Sequence, residues 1–172
     1  MQLEEYIKSC WDKVDDYIKG VETGSIIVNK WIKKAVINFK NDLNRNDLEY
    51  KVDAVDRVFK FFYFMNINRD NHYSRFYLLP FQAFITAVLF GFYYKETGKR
   101  RYRYVFLFLA RKNGKSVFAT ALQLYFLLAD KVEDPQSLLL ASTREQAGIC
   151  LEYATGIINH SPSLRKRLEA QR

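Results

Sequence analysis

The chain has 172 residues, 49% of them hydrophobic and 16% aromatic, and a formal net charge of +8. That is enough apolar material for one domain of ordinary size with a real core, which excludes a disordered chain. Cys10 and Cys150 lie far apart and match no zinc or redox spacing, so both are expected as reduced thiols in a cytosolic setting.

The first third reads as helical. Met1 to Trp11 holds two glutamates and no apolar stretch, so no signal peptide is expected. Leu3, Ile7, Trp11, Val14 and Ile18 recur at spacings of three and four, and Gly20 follows as a stop. A second helix is expected over Ser25 to Leu43, burying Ile27, Trp31, Ala35, Val36 and Phe39. A third is expected from about Lys51 to Met65, burying Val52, Val55, Phe59 and Phe62. Residues 66–75 (NINRDNHYSR) are polar and turn-rich and read as a linker. His72 has no second ligand at metal spacing and reads as a surface histidine, and His160 as a helix end.

Phe76 to Tyr94 carries no charge over a length that could be mistaken for a membrane span. Pro80 and Gln82 near its start and the tyrosines at its end argue instead for a buried helix from Pro80 to about Tyr93, with Pro80 at the first helical position. No acidic residue occurs between Thr97 and Ala129, whereas Lys99, Arg100, Arg101, Arg103, Arg111, Lys112 and Lys115 all do. Together with Arg165, Lys166 and Arg167, these form basic patches suited to polyanions, or simply solvated faces.

Within that stretch, YVFLFLARKNGKS (104–116) runs from an uncharged apolar segment into a basic turn ending Gly114-Lys115-Ser116. A buried strand, a tight turn and a helix N-terminus together make a phosphate site. The turn's backbone N–H groups face the anion, the lysine reaches the β/γ-phosphates, and the hydroxyl takes Mg²⁺. The tripeptide alone should occur by chance in roughly a tenth of chains of this length, so its surroundings must decide. Ser116 to Ala129 reads as a buried helix, Asp130 to Ser137 as a loop broken by Pro135, and Leu138 to Ala141 as a second apolar strand. That order predicts a β-α-β unit with parallel strands. Where the usual motif has its first glycine the chain has Leu109, followed by Ala110. Arg111 either faces the phosphates or is a solvated turn charge, as is Lys112. Thr143 to Gln146 spells a capping box for a last helix to about Asn159, burying Ala147, Cys150, Leu151, Ala154 and Ile158. The cap lies beside the expected phosphate turn, at the sheet edge where open α/β folds place ligands.

The fold class expected from these elements is α/β, a partial parallel sheet of the P-loop NTPase type preceded by an N-terminal helical module. The module spans 1–65, the linker 66–75 and the first part of the phosphate-loop domain 76–172.

GSIIVNKWIKKAVINF, LLPFQAFITAVLFG, RRYRYVFLFLARKNGKS and LLLASTREQAGICLEYA, in that order along nearly the whole chain, make it resemble the N-terminal part of the tailed-bacteriophage terminase large subunits, the motors that package viral DNA. A basic phosphate loop lacking the first glycine is typical of that family. The resemblance implies ATP and Mg²⁺ as cofactors. It implies that Gln82 contacts adenine, that Arg111, Lys112, Asn113, Gly114, Lys115 and Ser116 form the phosphate loop with Ser116 at the metal, and that Thr143, Arg144 and Gln146 lie near DNA or the coupling surface. It further implies double-stranded DNA, a portal, a small terminase subunit and a ring of copies as partners, in the cytoplasm of a bacterial host, without a membrane.

An ATPase of this class also needs an acidic strand end for Mg²⁺ and water. Asp130, Glu133, Asp134, Glu145, Glu152 and Glu169 all fall in expected turns or helices. No catalytic residue is therefore expected within these residues, and the acidic strand and nuclease domain are expected further along a longer protein. Two other functions fit the same residues: a docking module with a vestigial phosphate loop, and a small-molecule kinase, for which no lid or substrate segment is evident.

Overall fold

The computed structural model describes residues 1–110, 112–166 and 168. It forms two units, one of residues 1–60 and 78–106 and the other of residues 61–77 and 107–172.

The first unit is built on α1 (Leu3–Thr23), α2 (Lys30–Leu43), β1 (Leu48–Tyr50), most of α3 (Val52–Tyr63), α4 (Pro80–Gly91) and β4 (Phe92–Tyr94). α1 buries Tyr6, Cys10, Val14, Tyr17 and Val21, a face displaced by one position from the expected one. It also runs past Gly20 to a left-handed Gly24. Gly20 is a close-approach residue instead: Ile26 folds back so that its N–H donates to the Gly20 carbonyl at 2.9 Å and its side chain fills the space a Cβ would occupy.

α2 starts later than Ser25 because Asn29 caps it, its Oδ1 accepting from the N–H groups of Trp31 and Ile32 at 3.0 and 3.1 Å. Ile27 and Trp31 are consequently exposed, and α2 buries Val36, Phe39 and Asp42. In α3, Val52 is likewise exposed while Val55 and Phe59 are fully buried. The core of this unit is aromatic: Phe39 meets Tyr50, Phe84 and Phe92 edge-on, and Trp11 meets Phe59. Pro80 opens α4 as expected. The helix ends at Gly91, where the Tyr50 ring leaves no room for a side chain. Residues 92–94 then pair antiparallel with β1, Leu48 opposite Tyr94.

The second unit holds the last turn of α3, β2 (Asn66–Arg69), β3 (His72–Arg75), α5 (Lys115–Leu128), α6 (Arg144–His160) and α7 (Pro162–Arg165). The polar stretch 66–75 is a β-hairpin turning on Asp70 and Asn71, both at positive φ (49° and 62°), as a primed two-residue turn requires. It is tied to the end of α6. The Asn66 N–H donates to Ser161 Oγ and its amide to the His160 carbonyl, both at 2.8 Å, and the Tyr73 ring stacks on His160 at 3.5 Å. Phe62, Phe76, Phe118 and Tyr125 form the core beside this hairpin.

The fold is therefore mixed helix and strand with an N-terminal helical module, but the expected parallel sheet is not seen. Among the described residues the strands pair only as two antiparallel two-stranded sheets. Residues 104–110 and 138–141 carry no strand. A strand exists through its ladder, and these segments find none: Tyr104, Phe106 and Phe108 are 91%, 90% and 86% exposed, and Leu138 and Leu140 83% and 92%. Among the described residues no helix is long and apolar enough to cross a membrane.

Candidate phosphate-binding site

α5 begins at Lys115 because Gly114 precedes it in the left-handed conformation (φ 68°), which lets the chain reverse from the loop into the helix without a Cβ clash. Lys112 shares that conformation at φ 66°, a second tight point in the turn. The first helical bond of α5 runs from the Phe118 N–H to the Gly114 carbonyl at 2.9 Å. The N–H groups of Lys115, Ser116 and Val117 thus stand at the positions where a helix offers no internal acceptor, and the helix dipole favours an anion there.

Two long contacts close the loop on itself. Lys115 Nζ donates to the Leu109 carbonyl and Asn113 Nδ2 to the Ala110 carbonyl, each at 3.4 Å. Bonds of that length are weak and are readily exchanged for a charged acceptor. Lys112, Asn113, Gly114 and Lys115 are exposed and Ser116 is half-buried. These residues follow one another through the turn into α5, whereas Arg111 lies outside the described residues.

The remaining expected site residues are placed as follows. Gln82 belongs to the first unit, is 3% exposed, and uses Oε1 to accept from the Leu79 N–H at 2.9 Å, tying the start of α4. Thr143 caps α6, its Oγ1 accepting from the Gln146 N–H at 3.3 Å, with Arg144 and Gln146 exposed beside it. The Glu145 carboxyl is held below the ordinary range, first by its own backbone N–H and then by the Thr143 hydroxyl.

The basic patch divides. Arg101 Nε donates to Asp42 Oδ2 at 2.6 Å and Arg100 Nε to the Tyr93 hydroxyl at 3.4 Å, so both serve their own unit, while Lys99 and Arg103 are exposed. Arg165 lies on α7 and Arg167 outside the described residues. α6 buries Ile157, while Leu151, expected in the core, is 63% exposed.

The donor set fits a polyphosphate: three helix N–H groups, a lysine and a hydroxyl. For Mg²⁺ these residues offer the Ser116 hydroxyl, which suits an ion that takes most of its oxygens from phosphate and water. Among the described residues no three His, Cys, Asp or Glu side chains gather as a metal site.

Sequence reasoning missed a cavity of about 250 Å³ in the second unit, lined by residues of β2, β3, α5 and α6, including Asn68, Tyr73, Val117, Glu152 and Tyr153. The Asp70-Asn71 pair, two residues that favour a turn, is the signal that could have shown its hairpin wall within that polar stretch.

Neither a curated protein nor a solved structure matches the chain. The family described as terminase large subunit, ATPase domain, does match, over residues 80–171, the region that runs from α4 through the phosphate turn to α6 and beyond. As that match takes in more than half of the sequence, the chain belongs to the terminase large subunit ATPase domain family.

Proposed function

We propose that this chain is the ATP-binding part of a motor that drives double-stranded viral DNA into a capsid. The observation that carries the reading is the turn 109–116: a left-handed glycine at the mouth of α5, with an exposed lysine folded over the loop, inside the residues that match the family. Lys115 holds the β/γ-phosphates, Ser116 presents its hydroxyl to Mg²⁺, and the N–H groups of the first turn of α5 take the remaining phosphate charge. Bound Mg²⁺ would neutralise the phosphate charge that develops during transfer. Lys112, Asn113 and Gly114 shape the turn, and Arg111 adds charge to it.

In the same reading the apolar runs 104–110 and 138–141, which carry no strand here, would pair as parallel strands and so bury the side chains they now expose. Thr143, Arg144 and Gln146, exposed at the start of α6, face DNA or the coupling surface. The portal, a small subunit and further copies of the chain are the partners this reading calls for, in the cytoplasm of a bacterial host. Gln82 is assigned to adenine by resemblance, with its Oε1 already engaged by Leu79.

The test is titration of a fluorescent ATP analogue. A hydrogen bond to a charged group is worth about 1.5–3 kcal/mol, so Lys115→Ala should weaken binding by roughly one to two decades. Equal binding by the two proteins would make the loop vestigial. Binding of duplex DNA, if the basic surface serves it, should fall steeply as salt rises.

A further inference from the structure

We propose that the start of α2 and the segment leading into it dock on α1 of a second copy of this chain, through helix stripes of opposite charge. Both surfaces belong to the first unit, so the contact stands apart from the phosphate turn. Its starting point is a stretch that the core leaves out. Residues 25–35 include Ile26, Ile27, Val28, Trp31 and Ile32, and none of them is buried. Ile27 is 97% and Trp31 66% exposed, and the core takes α2 only from Val36 onward. Large apolar side chains gathered at one exposed place, and not scattered singly, mark an interaction surface.

The same stretch is basic. Lys30, Lys33 and Lys34 are exposed, and no acidic residue occurs from Ser25 to Asn41. Lys30, Lys34 and Ile37 recur at helical spacing and share the outer face of α2. Lys30 lies over the Trp31 ring, 5.1 Å from its centre, so cation and ring make one surface. Lys40, further along, is paired with Glu22 at 2.6 Å, whereas among the described residues Lys30, Lys33 and Lys34 have no carboxylate partner. The complement of this surface is both acidic and apolar. A nucleic-acid backbone would meet the lysines and leave Ile27 and Ile37 in water.

α1 carries the complementary chemistry. Glu4, Ile7, Trp11, Asp15 and Ile18 follow one another at spacings of three and four, so they form one stripe along the helix. The two carboxylates are exposed and the three apolar side chains half-buried, beside the face that Tyr6, Cys10 and Val14 send into the core. Acid alternates with apolar on α1 as base alternates with apolar on α2. Laid together, the stripes cover Ile27 and Trp31 with Ile7 and Ile18 and set Lys30 and Lys34 against Glu4 and Asp15. Within one copy α2 meets α1 at Lys40 and Glu22, and the earlier lysines still lack carboxylates, which leaves them to α1 of another copy. Because each copy carries both stripes, the contact either closes on a two-fold axis or runs head to tail.

Sedimentation equilibrium of the full chain tests this. The proteins are the wild type, Lys30→Glu with Lys34→Glu, Glu4→Lys with Asp15→Lys, an equimolar mixture of those two variants, Trp31→Ser and Lys115→Ala. The wild type should self-associate, with a dissociation constant that rises with salt. Aggregation through 104–108 and 138–140 would respond to salt in the opposite sense. Each charge reversal should weaken pairing by about tenfold, since like charges then face each other. The mixture should restore it, because the lysines of one variant meet the carboxylates of the other. Trp31→Ser should weaken pairing at every salt concentration, and Lys115→Ala should leave it unchanged. All these positions except Trp31 are charged and exposed, so far-UV circular dichroism should match the wild type. If a reversal fails to fold, Lys30→Gln with Lys34→Gln decides, and an unchanged dissociation constant there overturns the proposal. A wild type that stays monomeric at low salt, a loss in one reversal only, or two losses that mixing does not repair also overturns it. Binding of a labelled oligonucleotide by a monomeric wild type, lost in Lys30→Glu with Lys34→Glu, would assign the face to nucleic acid instead. Loss of pairing in Lys115→Ala would move the contact to the second unit and overturn the proposal, whereas the nucleotide titration judges the phosphate site by itself.

Discussion

Asp42 is 4% exposed, yet it carries a charge, and two residues distant in sequence meet that charge: Arg101 Nε at 2.6 Å and the Tyr102 hydroxyl at 2.7 Å. Removing one partner of a buried pair strands the other, at a cost of about 3–5 kcal/mol. Arg101 keeps some solvent, so Asp42→Ala should fall at the low end of that range in urea unfolding, and Asp42→Asn, which still accepts from both, should cost less. A loss under 1 kcal/mol would mean that Tyr102 and Arg101 find water as readily as they find Asp42.

Cys10 offers a second test at this scale. Burial raises its thiol from 9.0 to about 11, against a smaller opposing pull from Lys13. The folded chain holds that proton more tightly than the unfolded one. The stabilisation is therefore complete below pH 9 and is lost as pH rises from there to about 11, by roughly 2–3 kcal/mol at ~1.4 kcal/mol per pH unit. Tyr17 and Tyr50, also raised by burial, steepen the same limb. The difference between wild type and Cys10→Ala isolates the thiol, and parallel pH profiles for the two would refute its contribution. Cys150 is only half-buried and should react with a thiol reagent well before Cys10.

At the level of elements, the hairpin depends on two residues in a conformation that β-branched side chains resist. Asn71→Val should cost about 1–2 kcal/mol from the left-handed backbone alone. It should also weaken the Tyr73–His160 stack, which a change in tyrosine near-UV circular dichroism would report.

Helix α5 and its glycine turn were legible in the sequence because the signals are local: a glycine, a lysine and an uncharged apolar run. The helical N-terminal module and the start of α4 at Pro80 were legible for the same reason. α1 was read one position out of register because Tyr6, Cys10 and Tyr17 satisfy the helical period as well as Leu3, Ile7 and Trp11 do, and only the packing against other elements chooses between the faces. The hairpin was hidden by its polar composition. The cavity could not be read at all, since Asn68, Val117 and Glu152 come together only once three elements have packed. The expected parallel strands failed differently: their apolar runs are real, but the ladder that would make them strands is not among the described residues.

For the molecule as a whole, the exposed apolar segments 104–108 and 138–140 are the counterpart of its high net charge. Unpaired apolar chain invites association with other copies, and charge repulsion opposes it. The isolated chain should therefore aggregate faster as salt screens the charge. Phe106→Lys with Leu140→Lys should slow aggregation without lowering the unfolding midpoint, since 90% and 92% exposed side chains contribute no core packing. Unchanged light scattering in that variant would place the sticky surface elsewhere, with exposed Ile27 and Trp31 the next to test.

The same segments are open to proteolysis. Tyr104, Phe106, Phe108, Leu138 and Leu140 are chymotrypsin sites on chain that belongs to no helix or ladder, whereas Phe62, Phe76, Phe118 and Tyr125 are shut in the core. Brief digestion should cut at the first group and spare the second. Any binding event that completes a ladder along those segments would then be recorded as the disappearance of particular bands from a gel.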